Sequence, residues 1–191
     1  FNSRFYRANL LWEKSTLRFR DIHLFNENLP SFYTNGKATS NECAFYTLPF
    51  VEGNFWSSPE KMAGLSFKYQ KEGKEYLLEG ETPTITSPAP GKLQISWPLK
   101  SFSGKLVLEM NEKQMTIKVE GKLLQKWFLD LDVAENTRLP FQTIGQSAIG
   151  CQFEGMNYSV SAEKGHFSKP KGGAVFRIDP DGNVIVIKMF N

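Results

Sequence analysis

The feature that most constrains the fold is the stretch of residues 104–133, where apolar and polar side chains alternate along three consecutive runs. A period of two is typical of β-strands that keep one face in a core and the other in water. Only a few residues separate the runs, so the stretch predicts three consecutive antiparallel strands. The predicted core face consists of Leu106, Leu108, Met115, Ile117, Val119, Trp127, Leu129 and Leu131. The predicted polar face of the third strand consists of Lys126, Phe128, Asp130 and Asp132.

The same pattern recurs along most of the chain. In residues 16–25 the apolar side chains occupy alternate positions from Leu17 and then shift by one position at Ile22, which predicts a β-bulge. Near the end, the turn pair Asp181-Gly182 separates two β-branched runs and predicts a hairpin. About a dozen strands and negligible helix predict an all-β fold of two packed antiparallel sheets, a β-sandwich that occupies residues 1–191 as a single domain. A supersandwich is compatible with this pattern.

Composition and charge argue against two classes of partner. Hydrophobic residues make up 40% of the chain, and no apolar run approaches the roughly 18 residues of a membrane-spanning helix, so we expect no membrane insertion. Basic and acidic residues are well mixed and give a net charge of +3, so we expect no nucleic-acid partner. Because the chain begins at Phe1 rather than with methionine, we expect a fragment of a longer secreted or periplasmic protein, with a catalytic domain upstream.

Few residues offer catalytic chemistry. Asp130 and Asp132 lie two residues apart on one strand face, about 7 Å apart at their Cα atoms, which suits the paired carboxylates of a glycoside hydrolase. The alternative is that both carboxylates form ion pairs with Lys126 and with basic residues of a neighbouring strand. His166, in a glycine-rich segment, is a further candidate acid or base. His23 lies in the bulged strand and is either a surface imidazole or a buried structural one.

The cysteines and histidines show no short spacing of the zinc type, so the sequence predicts no metal site. It also contains no motif for a cofactor. The two cysteines, Cys43 and Cys151, either form a disulfide or serve as small buried hydrophobic residues, and the sequence leaves both alternatives open.

Aromatic residues make up 14% of the chain, and several lie in segments rich in turn-forming residues. Tyr46, Phe55 and Trp56 are the candidates for a ligand-binding surface, because aromatic rings stack on the apolar C–H faces of sugar rings. The polar neighbours that could bind sugar hydroxyl groups are Asn35, Glu42, Asn54 and Arg138. The alternative is that these aromatic side chains belong to the core.

Taken together, these patterns favour a non-catalytic β-sandwich module, accessory or carbohydrate-binding, of a polysaccharide-handling protein. One alternative is a glycan-active enzyme, a glycoside hydrolase or lyase, that uses Asp130 and Asp132 or His166. Another is a structural or protein-interaction domain. An oligosaccharide or polysaccharide is the expected partner in the first two cases. A β-sandwich by itself does not decide among the three, because the same fold serves many functions.

Overall fold

Two antiparallel sheets of eight strands each pack face to face, as the sequence predicts. The structure, a computed structural model, describes residues 1–29, 47–100, 102–122 and 125–189. Sixteen strands lie within these ranges, more than the dozen expected, because three-residue strands are too short to show an alternation pattern. The same ranges contain no helix, and hence none that could span a membrane.

The first sheet contains β1 (Tyr6–Glu13), β2 (Thr16–Leu24), β3 (Leu48–Glu52), β4 (Gly64–Lys71), β5 (Lys74–Leu77), β10 (Lys126–Asp132), β14 (His166–Ser168) and β15 (Arg177–Asp179). The second sheet contains β6 (Thr84–Thr86), β7 (Leu93–Pro98), β8 (Ser103–Met110), β9 (Gln114–Lys122), β11 (Phe141–Ile144), β12 (Ala148–Phe153), β13 (Met156–Lys164) and β16 (Val184–Lys188). In the first sheet the spatial order is β1-β2-β4-β10-β15-β14, with β3 also paired to β2 and β5 to β4. In the second it is β11-β12-β13-β16-β9-β8-β7-β6.

The core lies between the two sheets and is rich in aromatic rings. Phe67 of β4 faces Trp97 of β7, with ring centroids 6.1 Å apart, and Tyr158 of β13 donates a hydrogen bond of 2.7 Å to the carbonyl oxygen of Pro49 on β3. Every residue of the predicted core face of residues 104–133 is buried, which confirms that prediction. Cys151 is a buried free thiol, and burial raises its pKa to about 12. Its potential partner Cys43 lies outside the described residues.

Two predicted strand pairings are wrong because the chain changes sheets where a hairpin was expected. Strand β10 does not pair with β9; it pairs with β4 and β15 of the first sheet. Both edges of β9 are already occupied by β8 and β16, so a third partner has no free edge to bind. The Asp181-Gly182 turn likewise connects β15 of the first sheet to β16 of the second. Alternation shows which side chains face the core, but it does not show which strand is the neighbour.

The predicted bulge in β2 is confirmed. Asn9 of β1 pairs with Asp21 and the next residue, Leu10, pairs with Phe19, so Arg20 is the extra residue. A second irregularity lies on the other edge of β2, where Ile22 pairs with Val51 and His23 pairs with Pro49, so that one residue of β3 is skipped. The first irregularity directly precedes Asp21 and the second directly precedes His23.

Candidate functional site

Asp130 and Asp132 lie on the outer face of the first sheet, where the sequence predicts a solvated surface. Asp130 is instead only 1% exposed. Its carboxylate accepts hydrogen bonds from Arg177 at 2.8 Å and 2.9 Å, one to each oxygen. The ammonium group of Lys68 lies 3.4 Å from Asp130 and 2.7 Å from Asp132. The expected ion pairing with basic residues of neighbouring strands is therefore present. The expected pairing with Lys126 is wrong, because Lys126 contacts Asp179 instead, and the exposed face is also not present.

Arg177 is the residue that covers this part of the sheet. Its guanidinium carbon lies 3.5 Å from the centre of the Phe128 ring, and Phe128 is fully buried. A further bond of 2.7 Å joins Arg177 to Glu75 on β5. Burial by itself lowers the pKa of Arg177, but the hydrogen bonds to Asp130 and Glu75 outweigh it and hold that pKa above its ordinary value. Asp130 is thus the anion of a buried ion pair, with most of its acceptor capacity used by protein groups.

His166 lies on β14 at the edge of the same sheet, with 53% of its side chain exposed. Its Nε2 atom is 3.7 Å from Asp179, which also contacts Lys126 at 2.7 Å and accepts a hydrogen bond of 3.1 Å from Ser168. Strand β15 separates His166 from β10, and its register places Asp179 beside His166 and Arg177 beside Asp130. The three predicted catalytic residues share one sheet face, but the structure does not bring them together around a cleft.

A cleft of about 700 Å³ lies elsewhere, where β3 and β10 end. Its walls come from the end of β3, from residues 53–58 and from residues 134–138, while His23 and Thr47 lie at its inner end. The two loop segments are joined by a backbone hydrogen bond of 2.8 Å from Ala134 to the carbonyl of Trp56. The cleft is therefore formed by segments that are fixed to each other and to the sheet.

Residues 53–58 are held in place by short-range bonds that their sequence provides. Gly53 passes so close to Arg20 that a Cβ atom would lie 2.7 Å from its backbone oxygen, which explains the need for glycine. The carboxylate of Glu52 accepts hydrogen bonds from the amides of Asn54 at 2.8 Å and Phe55 at 3.4 Å. Ser57 donates to the carbonyl of Gly53 at 2.5 Å. These contacts fix the position of the aromatic pair that follows.

The predicted aromatic surface is divided by this loop. Phe55 is 81% exposed, whereas Trp56 is 5% exposed and packs edge-on against Phe141 of the second sheet, with ring centroids 5.7 Å apart. Phe55 is therefore the side chain that presents a free aromatic face, and Trp56 forms part of the wall. Tyr46, the third predicted residue, lies outside the described residues, as do Asn35 and Glu42.

A buried polar cluster lies at the inner end of the cleft. His23 Nδ1 and the Thr47 hydroxyl are 2.5 Å apart, and His23 Nε2 lies 3.1 Å from Glu52 Oε2. Asp21 is paired across the strands with Glu52, and the ligand atoms of Asp21, His23 and Glu52 lie within 4.8 Å of one another. Burial by itself raises the pKa of Glu52, but His23 and the amides of Asn54 and Phe55 outweigh it and keep that pKa below its usual value. Glu52 is therefore a carboxylate at neutral pH.

Comparison of the chain with protein families, with curated proteins and with solved structures found no match.

A second cleft of about 570 Å³ adjoins the first and shares Pro49, Trp56, Arg138 and Phe153 with it. We refer to the two together as the groove. Arg138 lines both parts, is exposed and has no ion-pair partner among the described residues. The groove thus combines an exposed aromatic ring, an arginine without an ion pair to a described residue, two glutamates (Glu135 and Glu154) and a buried carboxylate–imidazole cluster.

Sequence reasoning identified Phe55 and Arg138 but missed Asp21 and Glu52. The signal for Asp21 was an Asp-x-His spacing in a strand, which places both side chains on the same face. Glu52 joins them only through the pairing of β2 with β3, and residues far apart in the chain give no local pattern for such a pairing.

Proposed function

We propose that the chain is a non-catalytic carbohydrate-binding β-sandwich module and that the groove holds an oligosaccharide or polysaccharide. The observation that carries the proposal is Phe55, 81% exposed at the rim of a cleft whose remaining rim is mostly polar. An exposed aromatic ring at the rim of a cleft can stack on the apolar C–H face of a sugar ring.

The polar groups of the groove suit sugar hydroxyls. Asn136 and Arg138 are exposed, line the cleft and make no side-chain hydrogen bond to another described residue. Asn136 also has a positive φ of 60°, a backbone conformation that asparagine tolerates better than most residues. Their donors and acceptors are therefore available to a ligand that stacks on Phe55.

The shape of the groove supports a ligand longer than a single sugar. The two clefts measure about 700 and 570 Å³ and share four lining residues, so a chain could continue from one into the other past Arg138. The Arg138 guanidinium at this junction can donate to hydroxyl or carboxylate oxygens of a glycan, while Glu135 and Glu154 line the groove beside it and can accept from hydroxyl groups.

The enzyme alternative receives no support from Asp130, Asp132 or His166. Asp130 is bound by Arg177 on both oxygens and Lys68 lies between the two aspartates, so both carboxylates are engaged by cationic side chains of the protein. We therefore base the proposal on the groove and not on the charged outer face of the first sheet.

The test is binding of Phe55→Ala compared with the unmodified protein in affinity gel electrophoresis and calorimetry. The probes are polygalacturonate as an acidic glycan and xyloglucan as a neutral one. Removing the ring should weaken binding by about 1–2 kcal/mol, roughly 5- to 30-fold, which is the contribution of a partly buried aromatic side chain. Trp56→Ala is a poorer test, because Trp56 is buried and its loss would disturb the fold.

Ile85→Ala provides the matched control. Ile85 is 61% exposed on β6, an edge strand of the second sheet, and does not line the groove. Binding should be unchanged in this variant. If neither glycan binds, or if Phe55→Ala and Ile85→Ala bind as the unmodified protein does, the saccharide proposal fails and a protein-interaction role becomes the better explanation of the exposed ring.

A further inference from the structure

The inner end of the groove holds three side chains whose donor atoms converge. Asp21 and His23 are two residues apart on β2 and so lie on one face of the strand. Glu52 is the direct cross-strand partner of Asp21. All three residues are largely buried, and their nearest ligand atoms lie within 4.8 Å of one another. The strand geometry therefore brings one imidazole and two carboxylates close together.

One atom of this cluster has an ion-pair contact but no hydrogen bond. His23 is 6% exposed, and its Nε2 atom is fully buried without a hydrogen bond. Its nearest acceptor, Glu52 Oε2, lies 3.1 Å away, which is the length of an ion pair without hydrogen-bond geometry. A cation bound by both atoms would give the buried Nε2 a directed bond in place of this contact.

A shared cation accounts for this arrangement. Two ligand atoms bound to one ion at about 2.1 Å lie about 3.0 Å apart at right angles and about 3.4 Å apart at tetrahedral angles, and the observed separation of Nε2 and Oε2 falls between these values. The other ring nitrogen supports the same orientation. Nδ1 lies 2.5 Å from the Thr47 hydroxyl, and a metal-bound imidazole usually donates its second N–H to such an oxygen.

The two carboxylates are oriented by their own hydrogen bonds and keep acceptor capacity. Asp21 accepts one bond from the amide of Gly53 at 3.1 Å and one from the side chain of Asn9 at 3.2 Å. Its Oδ2 atom also lies 3.5 Å from Arg20 Nε. A carboxylate offers about four lone-pair sites, so Asp21 and Glu52 can each still provide one to a cation.

We propose that Asp21, His23 and Glu52 bind a divalent transition-metal cation at the inner end of the groove. An imidazole ligand favours zinc, iron, copper or nickel over calcium and magnesium, which prefer oxygen ligands alone. Three protein ligands leave at least one coordination position open, and His23 and Glu52 both line the cleft, so water or a ligand oxygen can reach it. This inference does not depend on the saccharide proposal.

The test is a titration of the EDTA-treated protein with Zn²⁺, followed by calorimetry. We expect one Zn²⁺ per chain, and we expect His23→Gln and Glu52→Gln each to weaken binding by at least about tenfold. His166→Gln is the matched control, because His166 is the only other histidine of the sequence and lies on the edge strand β14. Its affinity should equal that of the unmodified protein.

A second measurement does not depend on the stability of the buried-site variants. In ¹⁵N NMR spectra of the unmodified protein, Zn²⁺ should shift the Nε2 resonance of one imidazole, and the same shift should persist in His166→Gln. The proposal is overturned if the unmodified protein binds no Zn²⁺. It is also overturned if only the His166 resonance shifts, or if folded His23→Gln and Glu52→Gln proteins bind as tightly as the unmodified chain.

Discussion

Replacing Arg177 by methionine should destabilise the protein strongly, because it leaves the buried Asp130 carboxylate without its main partner. Arg177 contributes two hydrogen bonds to Asp130, at 2.8 Å and 2.9 Å, and covers the Phe128 ring. The side chain of Asp130 is 2% exposed, so water cannot replace these bonds. Removal of one member of a buried pair typically costs about 3–5 kcal/mol.

The remaining cation reduces this cost. Lys68 stays 3.4 Å from Asp130, although its closer contact is with Asp132 at 2.7 Å. We therefore expect Arg177→Met to lower the free energy of unfolding by about 2–4 kcal/mol. For a chain of this size, that corresponds to a decrease of roughly 5–15 °C in Tm.

Equilibrium unfolding in urea, followed by tryptophan fluorescence, measures the effect directly. The double variant Arg177→Met/Asp130→Asn should recover part of the loss, because it removes the uncompensated charge while keeping the side-chain shape. Arg138→Met is the control, since Arg138 is exposed and unpaired among the described residues, and it should change stability by less than about 0.5 kcal/mol. The reasoning is refuted if Arg177→Met is as stable as Arg138→Met, or if the double variant is less stable than the single one.

Two further predictions concern buried groups of the core. Tyr158→Phe removes the 2.7 Å bond to the Pro49 carbonyl that joins β13 to β3, and it should cost about 1–2 kcal/mol in urea unfolding. Tyr76→Phe, at a ring that is 43% exposed, should cost almost nothing, and equal effects in the two variants would contradict the importance of this bond. Burial raises the pKa of the Cys151 thiol from 9.0 to about 12, so the unfolded chain loses this proton first as the pH rises. The test compares two variants, Cys43→Ser and Cys43→Ser/Cys151→Ala, between about pH 9 and pH 10. Over this interval the free energy of unfolding of the variant that keeps Cys151 should fall by about 1 kcal/mol more. Parallel pH profiles of the two variants would show that Cys151 is accessible to water.

The strands and their core faces could be predicted from the sequence, but the sheets could not. Alternation identifies a strand with one dry face, as the burial of Leu108 and Ile117 confirms. Alternation does not show which edge of a strand is free to pair. The sequence therefore predicts the wrong neighbour for two strands, the one after β9 and the one after Asp181-Gly182. These assignments depend on contacts between residues that are distant in the chain.

The two faces of β10 show a second limit of sequence patterns. Lys126, Phe128, Asp130 and Asp132 alternate with apolar residues, which predicts a wet face. The structure buries Phe128 and Asp130, because Arg177 of the adjacent β15 covers both. A polar residue on a strand is exposed only if no side chain of a neighbouring strand covers it. Here the long side chain of Arg177 covers Asp130.

The candidate site depends on a feature that the sequence did reveal, the shift of alternation in β2. Leu17 and Phe19 face the core, and after the extra residue Arg20 the core positions become Ile22 and Leu24. Without the bulge, residues 21 and 23 would continue the alternation of Phe19 and point between the sheets, where an ionised carboxylate is costly. The bulge instead turns Asp21 and His23 to the outer face, beside the end of β3 and the groove. A one-residue insertion in a strand thus converts two positions that would belong to the core into positions of a polar cluster, and this explains why the cluster and the irregular pairing occur at the same place.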